Sequence, residues 1–409
     1  MLGPGLITGA SDNDPSGIGT YSVAGASFGF QLLWLSWFTL PLMAATQNIC
    51  ARIGQASGKG LTTIVKQYFP SWVVYPFCLM LLAANCITIG ADLLAMAASI
   101  ELLTGLPGRL FIAPVALLLV AALVFGHYRT IANVLRWLTL FLLAYVVAAV
   151  LTHPNWLDVA RRAFTPNLSL DPQFISLLVA VLGTTITPYM WFWQTSEEVE
   201  EQVAHGQIHL RQRRGTTERV IGDRQLDVNV GATISNIVMF FIILTAGATL
   251  FAHGEHDVKS AADAAEALAP LAGNAARILF GVGLLGMGLL AIPILAGSSA
   301  YALSEAFGWP VGLNRPVHRV PQFYGIMAVA TIIGLALDFT SINAIDALVL
   351  ASVINGVVAP IILTFIMLIA NHPRIMAGHR NGPLSNTLGW LTTALMGAAA
   401  VGLFATLGK

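Results

Sequence analysis

The sequence predicts an all-α integral membrane protein, and three observations carry that reading. Of 409 residues, 56% are apolar and only 10% charged, against about 25% charged in a typical soluble domain. Apolar runs approach the ~20 residues needed to cross a hydrocarbon core, and 110–126 and 384–407 are nearly unbroken. Two runs are interrupted by proline among small polar residues. Helices are the natural choice for such spans, because lipid offers no partner to a free backbone N–H or C=O.

In chain order the expected spans are 2–29, 31–54, 71–100, 109–126, 129–152, 173–203, 226–253, 275–306, 322–338, 342–370 and 384–407. The first begins at once with Gly3-Pro4-Gly5 and carries polar residues in its middle, unlike a cleavable leader. The segments between spans set the orientation. With the N-terminus in the cytoplasm, the inner segments hold Arg52, Lys59, Lys66, Arg129, Arg211, Arg213, Arg214, Arg219, Arg224, Arg315, Arg319, Arg374 and Arg380. The outer ones hold Arg109, Arg161, Arg162, Lys259, Arg277 and Lys409. Positive residues favour the cytoplasmic side, so a multi-pass protein of the cell membrane is expected, N-terminus inside and C-terminus outside.

Equal numbers of basic and acidic residues, 20 each, give no basic surface for nucleic acid. Cys50, Cys78 and Cys86 lie in or beside apolar runs and read as buried thiols. No zinc-protease histidine pair or nucleophile elbow supports an enzyme. Gly54 to Gly60 is one residue short of a phosphate loop, and Gly60 stands where that loop needs Ser or Thr.

The interruptions matter most. The first reads Thr8-Gly9-Ala10-Ser11-Asp12-Asn13-Asp14-Pro15-Ser16-Gly17 and the second Gly183-Thr184-Thr185-Ile186-Thr187-Pro188-Tyr189. Proline removes a backbone donor, clashes with the preceding turn and pushes the residue before it out of the helical region. Both spans are therefore expected to break at mid-depth. They lie about 170 residues apart, each opening a five-helix block, and paired broken helices in two halves point to a transport site between inverted repeats. The expected division is 1–152 and 153–370 for the repeats, with 371–409 as the last helix. An Asp-Pro pair is also an ordinary helix start, Asp as N-cap and Pro at the first position, so Asp14 has both a structural and a functional reading. An ionisable residue within a span favours the second.

Asp14 offers a hard carboxylate. Ser11, Thr184, Thr187 and freed carbonyls offer neutral oxygen, and neither break contains His, Cys or Met. Such a set suits Mg²⁺, Ca²⁺ or Mn²⁺, and a sparse one suits a magnesium ion that keeps some of its waters. Farther along, Glu197, Glu198, Glu200 and Glu201 crowd the end of the sixth span. They either pair with the Arg211–Arg214 cluster or draw cations into an inner vestibule. Gln194 and Glu197, nearest the break, are the expected second ion stop. Asp92 reads equally as a functional residue or a satisfied buried acid. Asp227 and Asn229 read as interface caps, and Asp346 and Asn343 as solvated.

Gly3-Pro4-Gly5, Asp14-Pro15-Ser16-Gly17 and Ala24-Gly25-Ala26-Ser27-Phe28-Gly29, with Ala51-Arg52-Ile53-Gly54 and Asp92-Leu93, resemble the Nramp divalent-metal transporters. The resemblance follows the order of spans along the whole chain. It implies a LeuT-like fold: two inverted five-helix repeats plus an eleventh helix, with helices 1 and 6 broken at mid-membrane. It also implies metal ligands at Asp14, Ser11, Gly17, Thr184, Thr187 and Asn355. The departures carry information. Gly17 stands at the family's asparagine, Thr187 at its methionine and Tyr189 at its histidine, while Asn85 and Ala95 stand at two acidic positions of the third helix, leaving Asp92. These resemble the Nramp-related magnesium transporters, which implies Mg²⁺ and Mn²⁺ carried partly hydrated and without proton coupling. The alternatives are a proton-coupled Mn²⁺ or Fe²⁺ transporter of the family, or an amino-acid or organic-solute permease of the same fold. The expected partners are a divalent metal ion, as cargo, and the lipid bilayer; no cofactor is expected, and a monomer suffices.

Overall fold

The computed structural model describes residues 3–125, 142–336, 340, 342–376 and 378–406, and these are helical with no strand. The first span is two helices, α1 (Pro4–Ser11) and α2 (Pro15–Phe28). Asp14 caps α2 and Pro15 takes its first position, where a missing N–H costs nothing. Gly29, with φ of 56°, ends α2 in a conformation side chains rarely adopt. A short 3₁₀ turn, Gly29–Leu32, then leads into α3 (Trp34–Ser57), bent by 106° from the preceding segment.

After α4 (Leu61–Tyr68) come α5 (Ser71–Thr104) and α6 (Arg109–Phe125). Of the expected fifth span, 129–152, only α7 (Leu143–Leu151) falls among the described residues; Arg129 and Arg136 lie outside them. A further helix that the span reading passed over, α8 (Trp156–Phe164), is capped by Asn155 and packs against α3.

The sixth span is again double: α9 (Pro172–Thr185), capped by Asp171, and α10 (Pro188–Ala204), with Thr187 at its N-cap. Unlike the turn between α2 and α3, this break bends the span by less than 40°. The remaining spans are α11 (Glu218–Ala248), α12 (Ala276–Phe307), α13 (Pro321–Leu335), α14 (Ala344–Ala370) and α15 (Pro383–Thr406). The seventh thus starts eight residues earlier than the expected 226. The helix runs on through polar residues 218–225, with Thr217 capping it, and hydropathy alone does not register that extension.

Among the described residues, six continuous segments are long and apolar enough to cross a bilayer, the α9–α10 pair counting as one; α2 and α3 pass the same test only when taken together across their 106° bend. α6 and α13 are shorter than a full span. Leu110, Leu117 and Leu118 on α6, Ile332 on α13, and Val401 and Phe404 on α15 are each 60% or more exposed. Apolar surface on that scale is what a lipid-facing wall presents. Inside it, the two broken helices meet α5, α11, α12 and α14. The contact of α1 with α11 is close: a Cβ on Gly9 would stand 2.4 Å from the Gly231 carbonyl carbon, and one on Gly5 2.7 Å from the Val228 nitrogen. Only small residues permit such an approach.

Candidate functional site

The two breaks face each other. Asp14 Oδ1 accepts from the Gly17 N–H at 2.8 Å and from the Ser16 hydroxyl at 2.7 Å. Its other oxygen has only Tyr189, whose hydroxyl reaches Asp14 Oδ2 at 3.4 Å and the Ser11 carbonyl at 3.2 Å. One proton is shared between those two acceptors, so both keep capacity for a cation. The Ser11 hydroxyl turns back to donate to the Thr8 carbonyl; what Ser11 offers is therefore its main-chain oxygen. Gly17 joins this group to the second break. A Cβ there would lie 3.0 Å from the Asp12 carbonyl oxygen and 3.5 Å from Thr184 Oγ1. Asp14 is 2% exposed and Thr184 4%, so the group is closed to solvent. The carbonyl ends of α1 and α9 reach the breaks here, and helix C-termini favour positive charge.

Ser11, Asp14, Gly17, Thr184 and Tyr189 are therefore brought together. Thr187 and Asn355 are buried nearby in the fold, but among the described residues no hydrogen bond joins either to that group. Each has an oxygen without a partner, Thr187 Oγ1 and Asn355 Oδ1. The Asn355 amide donates to Thr88 on α5 at 2.9 Å. Asp92, one turn beyond Thr88, is fully buried, meets the Ser16 backbone N–H and lies within electrostatic reach of Asp14.

The C-terminal half of α10 places the acidic run in detail. Gln194 accepts from the Thr8 hydroxyl at 2.7 Å and donates to Glu198 at 2.8 Å. Glu198 also accepts from Gln55 at 2.7 Å and faces Arg224 at 3.5 Å, while Arg224 pairs with Glu201 at 2.7 Å. The residue continuing the Gln194 line is thus Glu198, not Glu197, which is half-buried on another face. The arginine meeting Glu198 and Glu201 is Arg224 rather than the 211–214 cluster. Asp227 is a cap, as expected, but of a different helix: its two oxygens accept from the Gly3 and Gly5 N–H groups at 2.8 and 2.7 Å.

The sequence reading counted Asp12 with Asp14 as support for a functional break but did not place it in the site. It ends α1 and is fully buried, its Oδ2 accepting from the Ser235 hydroxyl of α11 and its Oδ1 without a partner. No three His, Cys, Asp or Glu residues are grouped to hold a metal among the described residues. Chemically, the centre offers one lightly held carboxylate oxygen, main-chain carbonyls and hydroxyls, with further unmet acceptors around it. That arrangement can receive a positively charged species with few direct protein ligands.

The architecture matches solved transporters. A mutant of the Eremococcus coleocola manganese transporter superposes with a TM-score of 0.74 at 17% identity, covering 98% of this chain and 85% of that one. The nucleobase-cation-symport-1 family transporter Mhp1, in a closed conformation, gives 0.60 at 14% identity, covering 99% and 90%. MhsT in complex with L-phenylalanine gives 0.58 at 14%, covering 99% and 98%. The fold is LeuT-like. The family model for natural resistance-associated macrophage protein-like sequences matches residues 5–406, so the chain belongs to the Nramp family.

Proposed function

We propose that this protein carries divalent metal ions across the membrane, Mg²⁺ first and Mn²⁺ second, with the ion partly hydrated and no coupled proton. The carrying observation is the sign of the unmet hydrogen-bonding capacity around the breaks. Asp12 Oδ1, Asn13 Oδ1 and Asn355 Oδ1 are buried acceptors without donors among the described residues. Each costs about 1–3 kcal/mol if left so. A hydrated cation supplies what they lack: positive charge and water hydrogens facing outward. Mg²⁺ fits best, because it dehydrates reluctantly and is held by one or two carboxylates.

In this reading Asp14, the Ser11 carbonyl and the Thr184 hydroxyl contact the ion or its inner waters. Thr187 and Asn355 complete the set as the site closes. The two five-helix blocks are inverted repeats, and α1 and α10 tilt to open the face that carries the N-terminus, the cytoplasmic one by its excess of Lys and Arg. Gln194 and Glu198 are the next station on that side. An intramembrane carboxylate at the breaks disfavours the anionic head of an amino acid.

Titration calorimetry of the purified protein tests the cargo: Mg²⁺ and Mn²⁺ should bind, and failure of both would end the proposal. Uptake into proteoliposomes containing a pH-sensitive dye tests coupling. Mg²⁺ entry without acidification is expected, and acidification that tracks uptake favours the proton-coupled alternative. Thr187→Met places a soft thioether where a hard hydroxyl stands. It should tighten Cd²⁺ and Mn²⁺ binding relative to Mg²⁺ by about tenfold, read as a ratio of dissociation constants. An unchanged ratio removes Thr187 from the ion's surroundings.

A further inference from the structure

Asp12 is anchored more than its packing needs. Its Oδ2 takes the Ser235 hydroxyl, which fastens the end of α1 to α11. A neutral asparagine or serine would serve that purpose. A carboxylate in the middle of a membrane protein instead costs several kcal/mol unless something compensates its charge. No lysine, arginine or histidine forms a salt bridge with Asp12 among the described residues, and its Oδ1 is buried without a partner. Its own carbonyl oxygen packs against Gly17, 3.0 Å from where a Cβ would stand. Asp12, Asp14 and Asp92 all act electrostatically on the ring of Tyr189, whose hydroxyl touches Asp14. The charge of Asp12 therefore lies within electrostatic reach of Asp14.

We propose that Asp12 is a second carboxylate of the cargo site and holds the ion through one of its waters, with Ser235 fixing Oδ2 and Oδ1 accepting the water's hydrogen. Asp14 then makes the inner contact and Asp12 the outer one, and together they match a charge of two. The inference rests on the metal-transport reading and adds a residue that distinguishes ions by how tightly they keep their water. Mg²⁺ keeps its shell and depends on Asp12. Mn²⁺ exchanges waters more easily, leans on direct oxygen contacts and depends on it less.

Calorimetry with Mg²⁺ alone and Mn²⁺ alone tests this on wild type, Asp12→Asn and Ser235→Ala. In Asp12→Asn the Mg²⁺ affinity should fall about tenfold to a hundredfold, the worth of one hydrogen bond to a charged group, and the Mn²⁺ affinity by less. Ser235→Ala, which loosens the carboxylate but keeps its charge, should lose less than Asp12→Asn. Equal losses for the two ions, no loss, or a Ser235→Ala loss as large as that of Asp12→Asn would each reduce Asp12 to a structural anchor. Should Asp12→Asn fail to fold, Asp12→Ser carries the same expectation. If wild type binds neither ion, the transport reading falls first. If wild type binds and Asp12→Asn binds equally well, only the role of Asp12 falls.

Discussion

Asp14→Asn is expected to fold normally and lose Mg²⁺ binding by at least about a hundredfold, close to 3 kcal/mol. The residue has two roles that this substitution separates. As N-cap of α2 it accepts the Gly17 N–H and the Ser16 hydroxyl, and asparagine caps a helix about as well as aspartate. As a ligand it supplies the charge and an oxygen touched only by the shared Tyr189 proton at 3.4 Å, and asparagine cannot replace that charge. Asp14→Ala removes both roles. It should abolish binding as well and cost about 1 kcal/mol more in stability through the lost cap. Calorimetry reads the first difference and thermal unfolding the second. Wild-type affinity in Asp14→Asn would leave Asp14 as an ordinary Asp-Pro helix start, and the metal site would have to lie elsewhere.

Both breaks were legible because proline acts locally. Asp14-Pro15 and Thr187-Pro188 force the chain out of the helix wherever the rest of the fold lies, and the helices restart there. The pairing of the two breaks was legible from their place in two halves and from the family resemblance, but the particular contact of Ser11 and Asp14 with Tyr189 was not, since no spacing within one span reveals a contact between residues 178 apart. The anchoring of Asp12 was hidden for the same reason, its partner Ser235 lying 223 residues away. Glu198 carried a local signal that went unused. It follows Gln194 by four residues and so shares its helical face, whereas Glu197 does not. The start of α11 was misplaced because helix continuation there depends on the Thr217 cap and on Arg224 pairing with Glu198 and Glu201, and not on apolar content. In each case the missing information was tertiary, except where helical phase could have supplied it.

The closed face that carries the N-terminus gives the second large expectation. Three features hold α1 against α11 and α10: the Asp227 carboxylate on the Gly3 and Gly5 N–H groups, the Gly9–Gly231 contact, and the bond from Thr8 to Gln194. Opening toward the N-terminal face requires α1 to leave all three. Asp227→Ala removes two hydrogen bonds to a charged acceptor, each worth about 1.5–3 kcal/mol, while in the open position water can satisfy the freed N–H groups. The equilibrium should shift toward open by an order of magnitude or more. Asp227→Asn keeps one acceptor oxygen and turns the other into a donor, so it should fall between wild type and Asp227→Ala. Gly9→Ala acts by a different route with the same outcome, because its methyl would meet the Gly231 backbone at 2.4 Å and no side chain is there to yield. Thr8→Cys reports the change, since the position is fully buried when closed and the native thiols at Cys50, Cys78 and Cys86 are buried too. Labelling by a membrane-impermeant maleimide from the N-terminal face should rise from wild type through Asp227→Asn to Asp227→Ala, and rise with Gly9→Ala. Transport should fall as the closed state becomes rarer. Equal labelling across the series would mean that α1 does not swing from α11, and that the inner opening lies along another helix.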